Sequence, residues 1–321
     1  MNFGLKTKLA AISSFEQYEQ LKSNVDLIKE IAQAVISRHQ LPAGSLELFS
    51  DGTNIVFSYN QHYVIKIYPP MHVDQFKSES LVTQYLSGKL TVKTPDILYQ
   101  GEIANWPYLI MTQLEGELLE TLWEKLEYDN KDLIMRELGL LIKEIHALPT
   151  NGLEAIDCHW EQFITQQIHH CIEQHQTKKL PPHLLKQIPD YLNPVQTCLK
   201  EIKNPVILTG EYTPMNLLVK QIDGVSHISG LIDFGDAMLG LPQYDLLGPG
   251  AFLIQGDKRL LREFLVAYGY SENQFTSELS HQLTALMLLH QYSNLNVQIR
   301  IQDWQNKVSS IEDLEQLVWG F

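Results

Sequence analysis

Apolar residues recur at the three-and-four spacing of one helical face over residues 15–38, where Tyr18, Leu21, Val25, Ile28, Ile31, Ala32 and Val35 fall in line, and this predicts a leading helix. From Ser45 the period shortens. Runs at 46–49, 55–59 and 63–68, rich in β-branched and aromatic residues and parted by Asp51-Gly52 and Asn60-Gln61, predict an antiparallel meander of three strands. Pro69-Pro70 ends the third strand, because neither residue donates a ladder hydrogen bond. A helical pattern follows over 73–86, then β-like runs at 96–99 and 106–111, so this part of the chain reads βββαββ.

Beyond the polar stretch 113–117 the pattern turns mainly helical. Ile134, Leu138, Leu141, Ile142, Ile145 and Leu148 share one face of a helix that Pro149 and Gly152 bring to an end. Two β-like runs, 206–208 and 217–220, bracket a polar loop, and a third, 226–232, leads into Asp233-Phe234-Gly235. From Tyr244 the chain reads as helices. The expected fold class is α+β with two lobes: residues 1–115 carry a small antiparallel sheet behind the leading helix, and residues 116–321 are mainly helical.

Composition adds exclusions. With 321 residues, 44% hydrophobic and 19% charged, the chain has an ordinary globular make-up. Cys158, Cys171 and Cys198 are odd in number and include no CxxC pair, which points to neither a disulfide framework nor a zinc site. The first eleven residues, around Lys6 and Lys8, fall short of a signal-peptide core, and no stretch has the apolar length of a membrane span, so a cytoplasmic protein with no membrane partner is expected. A net charge of −14 repels a phosphate backbone, which argues against nucleic acid, and either attracts polycationic small molecules or serves solubility alone. Oligomeric state is not readable from these features.

Three features carry candidate chemistry. Lys66 lies within Val64-Ile65-Lys66-Ile67-Tyr68, where strand alternation puts Val64, Lys66 and Tyr68 on one face, and a helical glutamate, Glu79, follows. A strand lysine held by such an ion pair can be aimed at phosphate oxygens. Upstream, Ser50-Asp51-Gly52-Thr53-Asn54 joins the first two strands and can cover phosphates with backbone N–H groups, although it lacks GxGxxG and every P-loop spacing. The most specific feature is Thr209-Gly210-Glu211-Tyr212-Thr213-Pro214-Met215-Asn216, with Asp233 seventeen positions beyond Asn216. A carboxylate, a carboxamide and a second carboxylate at these offsets supply one base, Glu211, and two oxygen ligands for Mg²⁺, Asn216 and Asp233.

At these residues the chain resembles the aminoglycoside phosphotransferase and choline kinase superfamily, whose catalytic loop commonly reads His-Gly-Asp with Asn five positions after the Asp. Gly210, Pro214 and Asn216 match that loop, and Gly230-Leu231-Ile232-Asp233-Phe234-Gly235-Asp236-Ala237 is similar to the metal-binding segment. Leu138-Gly139 through Ile145-His146 and Tyr244-Asp245-Leu246 are also family-like. Trp106-Pro107-Tyr108-Leu109-Ile110-Met111 and the closing stretch from Asp313 to Gly320 look most like hygromycin B phosphotransferases. The resemblance implies a bilobal protein-kinase-like fold and transfer of the γ-phosphate of ATP or GTP, with Mg²⁺, to a hydroxyl of a small polar, cationic acceptor. It further implies that Lys66 contacts the donor phosphates and Glu79 pairs with it, and that the backbone of Gln113, Leu114 and Glu115 meets adenine; Gly52 and Thr53 belong to the loop read above as covering the phosphates. Antibiotic resistance and metabolism are the two roles such an activity could serve.

Two departures stand out. The family's loop histidine is Thr209 here, and its catalytic aspartate is Glu211. Glutamate keeps the charge and displaces it by about 1 Å, a shift that can cost on the order of a hundredfold in rate. A nucleotide-binding pseudokinase with a regulatory or scaffolding role is therefore the alternative, opposed by the retention of Lys66, Asn216 and Asp233. For acceptor contacts, Asp236 beside the metal segment and the terminal carboxylate of Phe321 are candidates; the alternative role for Asp236 is to stabilise its own loop.

Overall fold

The computed structural model describes residues 3–49 and 52–321. The chain forms two compact units. The first holds the residues up to Lys89, Lys93–Glu115 and the distant segment Ile232–Asp236; the second holds Leu90–Val92, Gly116–Leu231 and Ala237–Phe321.

In the first unit three helices, α1 (Phe3–Ala10), α2 (Phe15–Lys22) and α3 (Val25–Arg38), precede the sheet. The single helix expected over 15–38 is thus two. Asn24 breaks it, because its side chain accepts from the Leu27 N–H and caps α3, while Ser14 and Gln17 form a capping box on α2. The sheet strands are β1 (Leu46–Phe49), β2 (Ile55–Tyr59), β3 (Tyr63–Ile67), β4 (Ile97–Ile103) and β5 (Trp106–Thr112), ordered β1-β2-β3-β5-β4 with every pairing antiparallel. Helix α4 (Val73–Leu86) comes between β3 and β4.

Side-chain alternation divides the sheet into two faces. Ile65 and Ile67 of β3 join Phe57, Tyr108 and Ile110 in a core closed by Leu9, Tyr18, Ile28, Ile31 and Val35 of the leading helices. Val64 and Tyr68 pack on the opposite face with Leu109, Met111, Ile97 and Phe76 of α4. Lys66 belongs to that second face, and its ladder neighbours are Val56 and Leu109.

In the second unit the long helix Tyr128–His146 packs against the helix Lys258–Tyr268. Gly139 makes their approach possible: a Cβ there would lie 2.5 Å from the Phe264 carbonyl oxygen. The strands of this unit are β6 (Glu117–Leu118), β7 (Val206–Leu208), β8 (Leu217–Ile222), β9 (Val225–Leu231) and β10 (Met238–Gly240), forming sheets β6-β8-β9 and β10-β7. Glu137 of the long helix accepts from His227 Nδ1 at 2.6 Å and the Ile228 N–H at 2.7 Å, which satisfies the outer edge of β9. Among the described residues no helix is long and apolar enough to cross a membrane.

Candidate active site

Lys66 is 5% exposed, so its ammonium needs partners or its burial is prohibitive. It has two. Glu79, on the face of α4 turned to the sheet, lies 2.6 Å away through Oε2, and Asp233 lies 2.9 Å away through Oδ1. Glu79 is itself buried, and the Tyr68 hydroxyl donates to the same Oε2 at 2.5 Å. Burial alone favours the neutral amine, but the carboxylates of Asp233 and Glu79 outweigh it and hold the Lys66 pKa above the ordinary lysine value. For Asp233 burial works upward, yet the Lys66 ammonium dominates and keeps the carboxyl below its ordinary value. The expected ion pair is therefore present, with Asp233 as a third member.

Asp233 reaches this position from a strained backbone. Its φ is +67°, a conformation that aspartate tolerates better than most side chains, and the Gly235 N–H bonds its Oδ1 at 3.3 Å. The segment runs beside α4: an ideal Cβ on Gly235 would meet Gln75 Cβ at 3.5 Å and Glu79 Oε2 at 3.6 Å. One oxygen of Asp236 accepts from Gln75 Nε2 at 3.2 Å, which corresponds to the loop-holding role weighed beside acceptor contact.

The loop between β1 and β2 is described from Gly52 onward; Ser50 and Asp51 lie outside the described residues. Gly52 has φ +121° and open space around its Cβ position, so its conformation and not crowding favours glycine. The linker candidates are also in this unit. The Gln113 N–H donates to the His62 carbonyl at 2.8 Å, and its side chain accepts from Ser58 at 2.6 Å; Leu114 is half-buried and Glu115 exposed.

The catalytic-loop candidates stand in the second unit, between β7 and β8. Asn216 donates through Nδ2 to the Glu211 carbonyl at 3.1 Å and to Glu211 Oε2 at 3.3 Å. That orientation turns the other end of the carboxamide, Oδ1, away from Glu211. Asp245 grips the start of the loop, accepting from the Thr209 N–H through Oδ2 and the Gly210 N–H through Oδ1, each at 3.0 Å. His146 adds a bond from Nε2 to Asp245 Oδ2 at 3.1 Å, and since a carboxylate only accepts, Nε2 carries the proton. At the far end of the loop, the Glu120 N–H bonds the Pro214 carbonyl at 3.0 Å.

Sequence reasoning named the stretches holding His146 and Asp245 without giving them a task, and missed His290. The His290 ring stacks on Tyr244 with centroids 4.7 Å apart, its Nδ1 accepts from the Tyr292 N–H at 3.2 Å, and burial pushes its pKa down to about 4 against a hydrogen bond with the Gly210 backbone. No local signal marks such a residue, since it sits at the end of an apolar helix far along the chain. Tyr68 was findable, because alternation puts it on the Lys66 face. Phe321 stacks its ring on Phe275 with centroids 5.1 Å apart.

Magnesium is bound through oxygens, commonly one or two protein ligands with phosphates and water completing the shell. Asp233 and Asn216 are oxygen donors of that kind, and among the described residues there is no cluster of three or more His, Cys, Asp or Glu to hold a metal in an all-protein cage. Each of the two side chains, taken by itself, has donor chemistry that suits Mg²⁺.

Comparison with known folds gives consistent matches. An aminoglycoside phosphotransferase of the APH(2") type in complex with GDP and kanamycin superposes with a TM-score of 0.65 at 20% identity, covering 90% of this chain and 97% of that one. ADP-bound APH(2'')-Ib matches with a TM-score of 0.59 at 19% identity over 91% of this chain and 97% of its own. APH(3'')-Id from Streptomyces rimosus ATCC10970, solved with ADP and streptomycin, matches with a TM-score of 0.59 at 16% identity over 80% and 97%. At these identities the likeness establishes the kinase-like fold and does not single out hygromycin-type enzymes. The model of the phosphotransferase enzyme family, APH, matches residues 50–279, well over half of the chain, and the protein belongs to that family.

Proposed function

We propose that the protein transfers the γ-phosphate of ATP or GTP to a hydroxyl of a small polar, cationic acceptor of the aminoglycoside kind. The observation that carries this reading is the buried Lys66 held between Glu79 and Asp233 at 2.6 and 2.9 Å in a chain of the phosphotransferase family. Such a lysine is costly to bury, and its value lies in presenting a fixed positive charge to phosphate oxygens. Asp233 and Asn216 are the residues that would hold Mg²⁺, whose chemistry is to neutralise charge on the transferring phosphoryl group. Glu211 orients the acceptor hydroxyl and takes its proton. Its carboxylate is set by the Asn216 amide, and the loop carrying it is fixed at the backbone by Asp245.

Several features support a small cationic acceptor. The net charge of −14 gives a field that attracts polycations, and two of the matched structures hold kanamycin or streptomycin. A cytoplasmic setting suits the nucleotide requirement.

The test is incubation of purified protein with γ-labelled ATP or GTP, Mg²⁺ and a panel of aminoglycosides, aminocyclitols and amino alcohols. Label appearing in at least one acceptor, with nucleoside diphosphate released in equal amount, is the expected result. Nucleotide binding without product across the panel would overturn the proposal.

A further inference from the structure

Helix α2 lies ahead of residues 50–279, the stretch that matches the family, yet it reaches the loop between β1 and β2. The Tyr18 hydroxyl donates to the Thr53 carbonyl at 2.7 Å, and Lys22 Nζ donates to the Gly52 carbonyl at 2.8 Å. Both donors are held in place. Tyr18 is fully buried with its ring against Trp106 and, edge-on, against His72, while Lys22 is steadied by Glu19 at 3.8 Å.

Two carbonyls bound to one helix fix the orientation of two consecutive peptide planes. Among the described residues there is no cis peptide bond, and in a trans peptide the C=O and the following N–H point in opposite directions. With the Gly52 and Thr53 carbonyls turned to α2, the N–H groups of Thr53 and Asn54 are turned together the other way. Successive N–H groups on one side of a loop make an anion-binding concavity.

A second set of bonds fixes the same loop from α4. His72 Nδ1 lies 2.9 Å from Asn54 Oδ1, Asn54 Nδ2 donates to Gln75 Oε1 at 3.1 Å, and Gln75 Nε2 donates to Asp236 Oδ1 at 3.2 Å. Each amide gives a proton onward, so the series runs in one direction and ends on a carboxylate next to the Asp233 segment. The loop residue Asn54 and the segment that carries Asp233 are thereby placed by one run of hydrogen bonds.

We infer that α2 is a positioning element for nucleotide phosphates: Tyr18 and Lys22 hold the Gly52 and Thr53 peptides so that the Thr53 and Asn54 N–H groups face the phosphates of a nucleoside triphosphate. The inference rests on the phosphotransferase reading above, and it assigns a task to a helix outside the matched segment. Residues 18 and 22 touch no phosphate in this scheme; they act through the loop. Releasing one carbonyl lets its peptide plane rotate and takes one N–H out of alignment for part of the time.

The experiment compares affinities for ATP with Mg²⁺ and for adenosine in the full-length protein and in Tyr18→Phe, Lys22→Met and Lys22→Arg. Tyr18→Phe changes no charge and keeps the packed ring, so any effect on it is positional. The expected result is a weakening of triphosphate binding by about fivefold for Tyr18→Phe and for Lys22→Met, the worth of one hydrogen bond, with adenosine affinity unchanged and recovery in Lys22→Arg. Triphosphate affinity that stays at the wild-type value in Tyr18→Phe, or that falls in step with adenosine affinity, overturns the inference alone. A wild-type protein that binds no nucleoside triphosphate overturns this inference and the phosphotransferase reading together.

Discussion

Tyr68 donates its hydroxyl to the Glu79 oxygen that also pairs with Lys66, at 2.5 Å. Both donors converge on Oε2, so the tyrosine fixes the rotation of a carboxylate that would otherwise be free to turn about its last bond. Removing the hydroxyl leaves the ion pair but loosens its geometry. Tyr68→Phe should lower stability by about 2 kcal/mol, the usual worth of a hydrogen bond to a charged group. It should also weaken nucleotide binding severalfold. Urea unfolding followed with nucleotide titration reads both; an unchanged stability would mean that the bond carries no weight in solution.

The acid limb of the stability curve has two parts. His290 is pushed down to about 4 in the folded protein, whereas an unfolded histidine titrates near 6.5. The unfolded chain therefore takes up a proton first, and stability present above about pH 6.5 is lost progressively as pH falls toward 4. Asp233 adds a lower limb: its folded pKa is depressed, so its contribution is present above the unfolded value near 3.9 and disappears as pH falls through the folded value. His290→Gln should flatten the upper limb and leave the lower one. Denaturant midpoints measured from pH 8 to pH 3 decide the matter, and an identical slope in the variant would rule out His290 as its source.

Glu211 is the proposed base, and its carboxylate accepts from the Asn216 amide. In an enzyme adapted to the longer side chain, Glu211→Asp withdraws the carboxylate by about 1 Å and should lower turnover on the order of ten- to a hundredfold. Glu211→Gln, which removes the charge, should cost at least as much. Steady-state rates with the best acceptor supply the measurement. Turnover that rises in Glu211→Asp would show that the native loop is still shaped for aspartate.

Gly139→Ala should destabilise the protein by about 1–3 kcal/mol, as overpacking does, because its new methyl would stand 2.5 Å from the Phe264 carbonyl oxygen and 2.9 Å from the Tyr268 nitrogen. A thermal midpoint equal to that of the wild type would mean that the two helices part at no cost.

Much of this architecture was legible because it follows from local periodicity. Ile65 and Ile67 alternate with Lys66 along β3, and Val73–Leu86 has helical character, so the strand lysine and the helical glutamate were found without coordinates. The break at Asn24 was missed because seven apolar residues continue the helical face across it; a single capping bond overrides that pattern. The grouping of Ile232–Asp236 with the first unit was beyond reach of any single cut in the chain, since it joins residues as far apart in sequence as the ion-paired Lys66 and Asp233. Polar partners such as Tyr18 and Lys22 for the β1–β2 loop, or His290 for Gly210, leave no trace in periodicity, because one hydrogen bond constrains two residues and nothing between them.

Asp245 holds the loop by the amides of Thr209 and Gly210 and by no side chain of either. Amide hydrogens are common to all residues except proline, so this anchor does not read the side chain at position 209. A replacement at 209 that keeps its amide N–H therefore keeps this bond. Proline at 209 or 210 is the replacement that would remove one of the two.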